Sequence, residues 1–391
     1  MSARLRVTMV GARWVGSGYP HSTHALAWLA RQPGLEVVDR SFALGRASRP
    51  LWGGGHGGRA WRAAARLTTS FALGLAAALA CGLRRDPLVY VAYPAVPTLL
   101  WWSVLPTWLR PRRVVADAFI SWFDTAVNDR GLARTSGWAA RSLRWIERRA
   151  LRCASLVLTD TAANAAHLAQ CLALDPARFR SAPLFSCTPE AESVDRVPRP
   201  AHPGDVTVLF VGTFVPLHGT DAIAEAMLAL RDVPRLRFEI VGDGQAAAAF
   251  ARRIGGTDLR VRWDRGFMSP AELEARIAAA DVCLGVFGNT AKAARVWPLK
   301  NYLYARMARP IITGSPFSMP GGAGSAPPPG AILVAHGDGI ALAHAIRELA
   351  ADDERRFRLG ADSRRHYQAH LSGAAAAAAL QRAFADVAQA P

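Results

Sequence analysis

The sequence predicts an α/β fold built as two parallel-sheet lobes, and three observations carry that expectation. Apolar runs of strand length alternate with helical patterns along most of the chain, as parallel sheets covered on both faces require. A strand, glycine-bearing loop and helix open each half, at residues 4–32 and 206–230. Between the halves, residues 186–205 hold four prolines and no apolar periodicity, which marks a linker. With 391 residues there is room for two domains with their own cores. The expected division is 1–190, a linker at 191–205, 206–365, and a terminal helical segment at 366–391 that crosses back to the first domain.

In the first half, residues 4–11 read as a strand, followed by the loop GARWVGSGYP with Gly16 and Gly18 and a helix at 21–32. The loop lacks the G-x-G-x-x-G spacing, and no acidic residue follows a second strand, so a nicotinamide dinucleotide is disfavoured. Strands are expected at 35–39, 88–93, 114–118 and 155–161, and helices at 60–83, 138–152 and 162–173. The second half opens on VTVLFVGTFVPLHGTD. Residues 206–211 form an uncharged β-branched and aromatic run, Gly212 ends it, Pro216 and Gly219 shape the loop, and a helix starts at Thr220. That arrangement puts backbone N–H groups and a positive helix end beyond the carboxyl end of a strand, where open α/β sheets bind phosphates. Further strands are expected at 236–241, 259–263, 282–286, 310–313 and 331–334; Ser269 and Glu272 form a capping box for a helix at 270–280, and another helix runs from 299 to 307.

Lys and Arg outnumber Asp and Glu by 47 to 30, a net charge of +17, which points to an anionic partner: membrane lipid, nucleic acid or a phosphorylated ligand. No nucleic-acid recognition motif is present, so nucleic acid is not expected. Five dispersed cysteines without Cys-x-x-Cys spacing argue for a reducing compartment and against a zinc site. A short basic prefix leads straight into a strand, with no apolar signal core, so a cytoplasmic location is expected. Residues 67–83 are apolar but short for a membrane span, and Pro94, Pro97 and Pro106 interrupt the run 88–109. Surface attachment to the inner face of the cell membrane is favoured over insertion. Its candidates are the arginines at 59, 62, 66, 84 and 85 with Trp52, Trp61, Trp101, Trp102 and Trp108.

Five stretches in order resemble the donor domain of GT-B glycosyltransferases of family 4, the "glycosyl transferases group 1" set. They are VLFVGTFVPLHGTDAI, LRFEIVGDGQ, ELEARIAAADVCLGVFG, PLKNYLYARMARPIITG and AILVAHGDGIALAHAIRELAADDERRFRLG. The amino half resembles the family in its first strand and glycine loop and in LVLTDTAANAAHLAQ. The resemblance implies two Rossmann-like domains facing across a cleft. It also implies retaining transfer of a sugar from a nucleotide-diphosphate donor to a glycan or lipid-linked acceptor, with no metal or other cofactor. Cell-surface polysaccharide or glycolipid assembly is the habit of the family.

The sequence departs from the family where the leaving diphosphate must be stabilised. Members carry an Arg and a Lys after the first donor-domain strand; those positions are Thr213 and His218. Two family glutamates are replaced by Arg295 and Leu303. Lys292, Arg295 and Lys300 remain together and resemble a branch with phenylalanine-glycine, lysine-alanine and proline-x-lysine patterns. The expected donor site is therefore Gly16, Gly18, Gly212, Thr213, His218, Gly219, Gly242, Arg295 and Lys300, with the amides of Tyr302 and Leu303 at a helix start. On the acceptor side, Asp117 and Asp124 are the candidate catalytic carboxylates, with Asp129 beside them and Trp122 and Phe123 placed to stack on a sugar. A sugar-nucleotide hydrolase or epimerase, and a non-catalytic nucleotide-sugar or membrane scaffold, are the rival expectations.

Overall fold

The computed structural model describes residues 4–15, 20–46, 59–192, 204–266, 268–320 and 328–390. From the amino end run β1 (Leu5–Val10), β2 (Ala12–Val15), β3 (Leu35–Asp39), β4 (Phe42–Arg46), β5 (Val89–Val91), β6 (Val114–Asp117), β7 (Leu156–Thr159) and β8 (Phe179–Ser181). β2 and β4 pair with each other; the other six form one sheet in the order β3-β1-β5-β6-β7-β8. A second six-stranded sheet collects β9 (Val206–Val211), β10 (Leu236–Val241), β11 (Val261–Asp264), β12 (Val282–Leu284), β13 (Ile311–Ser315) and β14 (Ala331–Ala335) in the order β11-β10-β9-β12-β13-β14. All pairings in both are parallel.

Strand order reverses between β1 and β5 in the first sheet and between β9 and β12 in the second. The crevice outside the carboxyl ends at such a switch point is where open sheets take ligands. β9 sits at the centre because it can be buried on both faces. Val206, Val208 and Phe210 pack with Ile223, Met227 and Ile346 on one side, and Leu209 packs with Ile277, Tyr302 and Tyr304 on the other. Each such large side chain removed from water contributes about 1.5–3 kcal/mol before entropy is counted.

The chain ends on the first lobe. In helix Gly373–Gln389, Ala376, Ala377, Leu380, Ala383 and Phe384 recur at helical spacing and pack against Tyr90, Val115 and Leu158 of the first sheet. Phe384 meets the Tyr90 ring edge-on at 5.5 Å. The short β2, β4 and β8 have no counterpart in the sequence reading, which places ARWV in the loop after the first strand; ARWV, FALGR and FRS are too short to show a period.

Helix Arg59–Arg84 runs 26 residues without a break. Its portion Ala65–Arg84 is long and apolar enough to cross a membrane by length and composition, and a third of the most apolar window is buried. One face, with Ser70, Ala77, Ala78 and Cys81, packs inward, while Leu67, Leu79 and Leu83 are exposed. Of the tryptophans expected at a lipid surface, Trp102 is buried and donates to the Ala78 carbonyl at 3.2 Å, and Trp101 donates to the Phe71 carbonyl at 2.8 Å. Trp108 is exposed. Trp52 lies outside the described residues, as do the side chains of Arg59, Trp61 and Arg62.

Candidate functional site

At the switch point of the second sheet, several buried polar atoms lack a hydrogen-bond partner among the described residues. Lys300 stands in the first turn of helix Leu299–Arg306, which caps the crevice beyond β12. Its ammonium lies 4.1 Å from the centre of the Phe210 ring, at the end of β9, and Nζ has no partner. The residue is 9% exposed, and burial pushes its pKa well below the ordinary lysine value. His218, in the turn Pro216–His218, meets the same Phe210 ring edge-on at 5.7 Å, and its Nδ1 also has no partner. Burial, and then the charge of Lys300, hold this histidine neutral. Asn301 is fully buried with both amide atoms unpaired, and His336, past the end of β14, leaves Nδ1 unpaired. Beside His336 opens a hollow of about 470 Å³ lined by Glu225, Asn289, His336 and the residues to Gly339.

Unpaired buried polar groups cost about 1–3 kcal/mol each, so a cluster of them is retained against stability. Lys300 Nζ and Asn301 Nδ2 are donors of the kind an anion's oxygens satisfy. Among the described residues, no group of three or more His, Cys, Asp or Glu is arranged to hold a metal ion.

The first lobe approaches this crevice through the π-helical turn Asp124–Asp129. Glu147 turns inward from the basic helix Trp138–Leu151 and shapes that approach. Its carboxylate accepts from Ser121 Oγ at 2.8 Å and from the amides of Trp122 and Phe123, each at 2.9 Å. Asp124 then reaches the seam between the lobes. Its Oδ1 accepts from His167 Nε2 at 3.0 Å, Asn128 Nδ2 at 3.0 Å and Arg295 at 3.1 Å, and Lys292 Nζ lies 3.7 Å from Oδ2. Lys292 also donates to Thr125 Oγ1 at 2.9 Å. Arg295 donates to Asn164 at 3.2 Å, and its carbonyl accepts from the Thr161 hydroxyl.

Burial alone would raise the Asp124 pKa, but the His167 hydrogen bond and the charges of Lys292 and Arg295 reverse this and hold it well below the ordinary carboxylate range. These surroundings correct the expectation of a free base: Asp124 is an ionic anchor joining the lobes, and Arg295 is spent on it rather than turned toward a donor phosphate. Asp117 is corrected likewise. It is buried under His21 Nε2, which donates at 3.0 Å, and the Tyr90 hydroxyl at 3.3 Å, while His21 Nδ1 accepts from the Phe185 amide at 3.0 Å. Asp129 keeps an oxygen free. Its Oδ1 has no partner among the described residues, the Leu217 amide of the second lobe bonds its carboxylate, and burial raises its pKa against the pull of Lys292 and Arg130.

At three of the expected donor-site glycines, Gly212, Gly219 and Gly242, the missing side chain makes room for neighbouring protein atoms. A Cβ on Gly212 would stand 2.7 Å from the His218 ring. On Gly219 (φ +62°) it would meet the Phe287 backbone at 2.3 Å, and on Gly242 (φ +119°) the Gly212 carbonyl at 1.8 Å. The helix begins at Leu299, so the open first-turn amides are those of Leu299 and Lys300 rather than Tyr302 and Leu303. The Tyr302 hydroxyl instead accepts from the Leu184 amide at 3.2 Å, and Leu303, half-buried, packs against the core. Thr213 is half-buried at the turn. Gly16 and Gly18 lie outside the described residues.

Asn164, His167, Asn301 and His336 were not singled out from sequence. A signal for the first two was present: Asn164 and His167 stand three apart on the helix that Thr161 caps, so they share a face.

Asp160, at the end of β7, supplies a stability test. Burial lifts its pKa from 3.8 to about 6, against Asn164, which donates at 2.7 Å, and Lys292. The folded state favours the protonated form, so its contribution to stability is full below pH 3.8 and is lost as pH rises through about 6. Asp160→Asn is expected to raise unfolding free energy by about 3 kcal/mol at pH 8 and by about half a kcal/mol at pH 4. Urea titrations at the two pH values check this.

Residues 205–352 match the family model described as glycosyl transferases group 1. No curated protein sequence matches. Similar solved structures include sucrose-phosphate synthase from Thermosynechococcus elongatus, at 16% identity and a TM-score of 0.66 over 98% of this chain and 99% of that one. HepE from Anabaena, solved with UDP-glucose, matches at 12% identity and a TM-score of 0.64 over 98% and 100%. TarM from S. aureus, solved with UDP and α-GlcNAc-glycerol, matches at 10% and 0.58 over 82% of this chain and 59% of that one. The likeness establishes the fold: GT-B, two Rossmann-like lobes face to face.

Proposed function

We propose that this chain is a glycosyltransferase of the family 4 type that moves a hexose-type sugar from a nucleotide-diphosphate donor to a glycan or lipid-linked acceptor, with retention of anomeric configuration. The setting proposed is surface polysaccharide or glycolipid assembly on the cytoplasmic side of the cell membrane, without a metal. The observation that carries the reading is the set of unpaired buried polar atoms in the second lobe, the Lys300 ammonium beside Phe210 foremost. Supporting it are the family match over that lobe and the UDP and UDP-glucose held by structures of the same fold.

As the sugar leaves, negative charge grows on the departing diphosphate, and a cation fixed in a low-dielectric crevice stabilises that charge more than it stabilises the intact donor. Lys300 takes this role, with Asn301 and the first-turn amides as hydrogen-bond donors. His218 is neutral and carries one ring proton. Asp129 orients the acceptor hydroxyl from the first lobe. Asp129→Asn is expected to lower the turnover number about tenfold, the worth of one charge-assisted hydrogen bond, without changing nucleotide affinity.

Incubation with UDP-, GDP- and ADP-sugars, following nucleoside diphosphate release with and without a lipid extract as acceptor, tests the function. Acceptor-dependent release with a glycosylated product is expected. Equal release without acceptor identifies a hydrolase, and binding without release identifies a scaffold.

A further inference from the structure

The arginine excess is not spread evenly over the molecule. In the second lobe several exposed or half-buried arginines meet a carboxylate: Arg237 and Arg260 with Asp205, Arg276 with Glu239 and Asp264, Arg355 with Glu348. One face of the first lobe is different. Residues 83–86, 103–113 and 138–152 hold ten arginines and two acids, Asp86 and Glu147, both buried. Asp86 is occupied by Arg40, and Glu147 by the segment Ser121–Phe123. Arg84, Arg112, Arg141, Arg144 and Arg152 are exposed and have no acidic partner among the described residues.

Large apolar side chains stand exposed on the same face. Leu83 is 70% exposed, Trp108 66%, Val104 57%, Trp138 76% and Trp145 58%. Two contacts tie these segments together. Gly82 lies so close to Leu109 that a Cβ would stand 2.2 Å from its carbonyl, which sets the end of helix Arg59–Arg84 against the turn Thr107–Leu109. Arg149 donates to Ser103 Oγ at 3.0 Å and lies 5.5 Å over the Trp145 ring, which joins Val104 to the helix Trp138–Leu151. Along that helix Trp138, Arg141, Trp145, Arg149 and Arg152 repeat every three or four residues on the outer side. A hollow of about 630 Å³ opens there, lined by Arg141, Ser142, Arg144, Trp145, Ile146 and Arg148.

Exposed tryptophans set among unpaired arginines match the layered chemistry of a bilayer surface, where indole rings sit at headgroup depth and cations meet anionic headgroups. We infer that this face, built from the end of helix Arg59–Arg84, the turn Thr107–Leu109 and the helix Trp138–Leu151, docks the protein on an anionic phospholipid membrane, with a lipid phosphate seated in the Arg141–Arg144–Arg148 hollow. The docking goes beyond sugar transfer and does not require it. It also shifts the membrane surface expected from sequence: Trp101 and Trp102 pack inward, and the helix Trp138–Leu151 takes their place.

Co-sedimentation with vesicles tests this without any nucleotide, so a failure here leaves the sugar-transfer reading standing. The full chain is expected to bind vesicles of equimolar phosphatidylcholine and phosphatidylglycerol and to leave pure phosphatidylcholine vesicles unbound at physiological salt. The double variant Arg141→Glu/Arg144→Glu is expected to lose about 30-fold in partitioning, and Trp145→Ala a smaller part of it. Arg252→Glu/Arg253→Glu, a control pair exposed on the second lobe, is expected to bind like the parent. Should the reversed pair misfold by circular dichroism, Arg141→Gln/Arg144→Gln is expected to show about a tenfold loss. No binding to the anionic vesicles, equal loss in the control pair, or unchanged binding in the folded variants overturns the inference, as does tighter binding to duplex DNA than to the vesicles.

Discussion

Replacing Lys300 by methionine is expected to weaken nucleoside diphosphate binding by about 100-fold and, at the same time, to make the free protein more stable. The first effect follows from loss of a charge-assisted bond to phosphate in a buried crevice, worth about 1.5–3 kcal/mol. The second follows from the geometry: the ammonium is buried against Phe210 without a hydrogen-bond acceptor, and methionine keeps the stem without the charge. A lysine with a depressed folded pKa contributes its stability above the unfolded value of 10.5 and loses it as pH falls through the folded one. At neutral pH it is therefore a liability that an anion relieves. An anion that stabilises the ammonium raises its depressed pKa, so between the free and bound values binding takes up protons, affinity falls as pH rises, and the heat of binding depends on the ionisation heat of the buffer. Calorimetry in two buffers reads both. A variant that binds nucleotide as tightly as the parent, with the same buffer dependence, removes Lys300 from the site.

Asp124→Ala is expected to cost about 3–5 kcal/mol of unfolding free energy, because it leaves Arg295 and Lys292 of the second lobe buried beside each other at the seam with no carboxylate facing them. The carboxylate is 1% exposed, so solvent offers little relief. Its depressed pKa gives the pH behaviour: the stability it contributes is present above the unfolded value of 3.8 and is lost only as pH falls through the still lower folded value. A double-mutant cycle with Arg295→Met separates the pair from its surroundings, and a coupling of about 1–3 kcal/mol is expected. Small-angle scattering should show the Asp124→Ala lobes farther apart. A cost below about 1 kcal/mol together with an unchanged radius would mean that the seam is held by other contacts.

Those two residues show where reading a sequence stops. Local signals were legible because local physics decides them. β9 falls on the predicted 206–211, the Ser269 and Glu272 capping box forms, and Thr161 caps the helix after β7 by accepting from the Asn164 amide. The identity of a basic cluster near residues 292–300 was also legible, but its division of labour was not. Lys300 turns under Phe210 in its own lobe, while Lys292 and Arg295 cross to Asp124 in the other. Which way each side chain points depends on how two sheets meet, and no periodicity encodes that. Glu147 is the same lesson on a helix: a lone acid among arginines reads as solvated, yet it is buried because three donors of a distant loop converge on it.

A crystal structure with a bound nucleoside diphosphate addresses the central claim most directly. A phosphate within hydrogen-bond distance of Lys300 Nζ and the first-turn amides of helix Leu299–Arg306, with Arg295 still on Asp124, is the predicted result. A nucleotide whose phosphates are held elsewhere, with Lys300 still covered and unpaired, would contradict it.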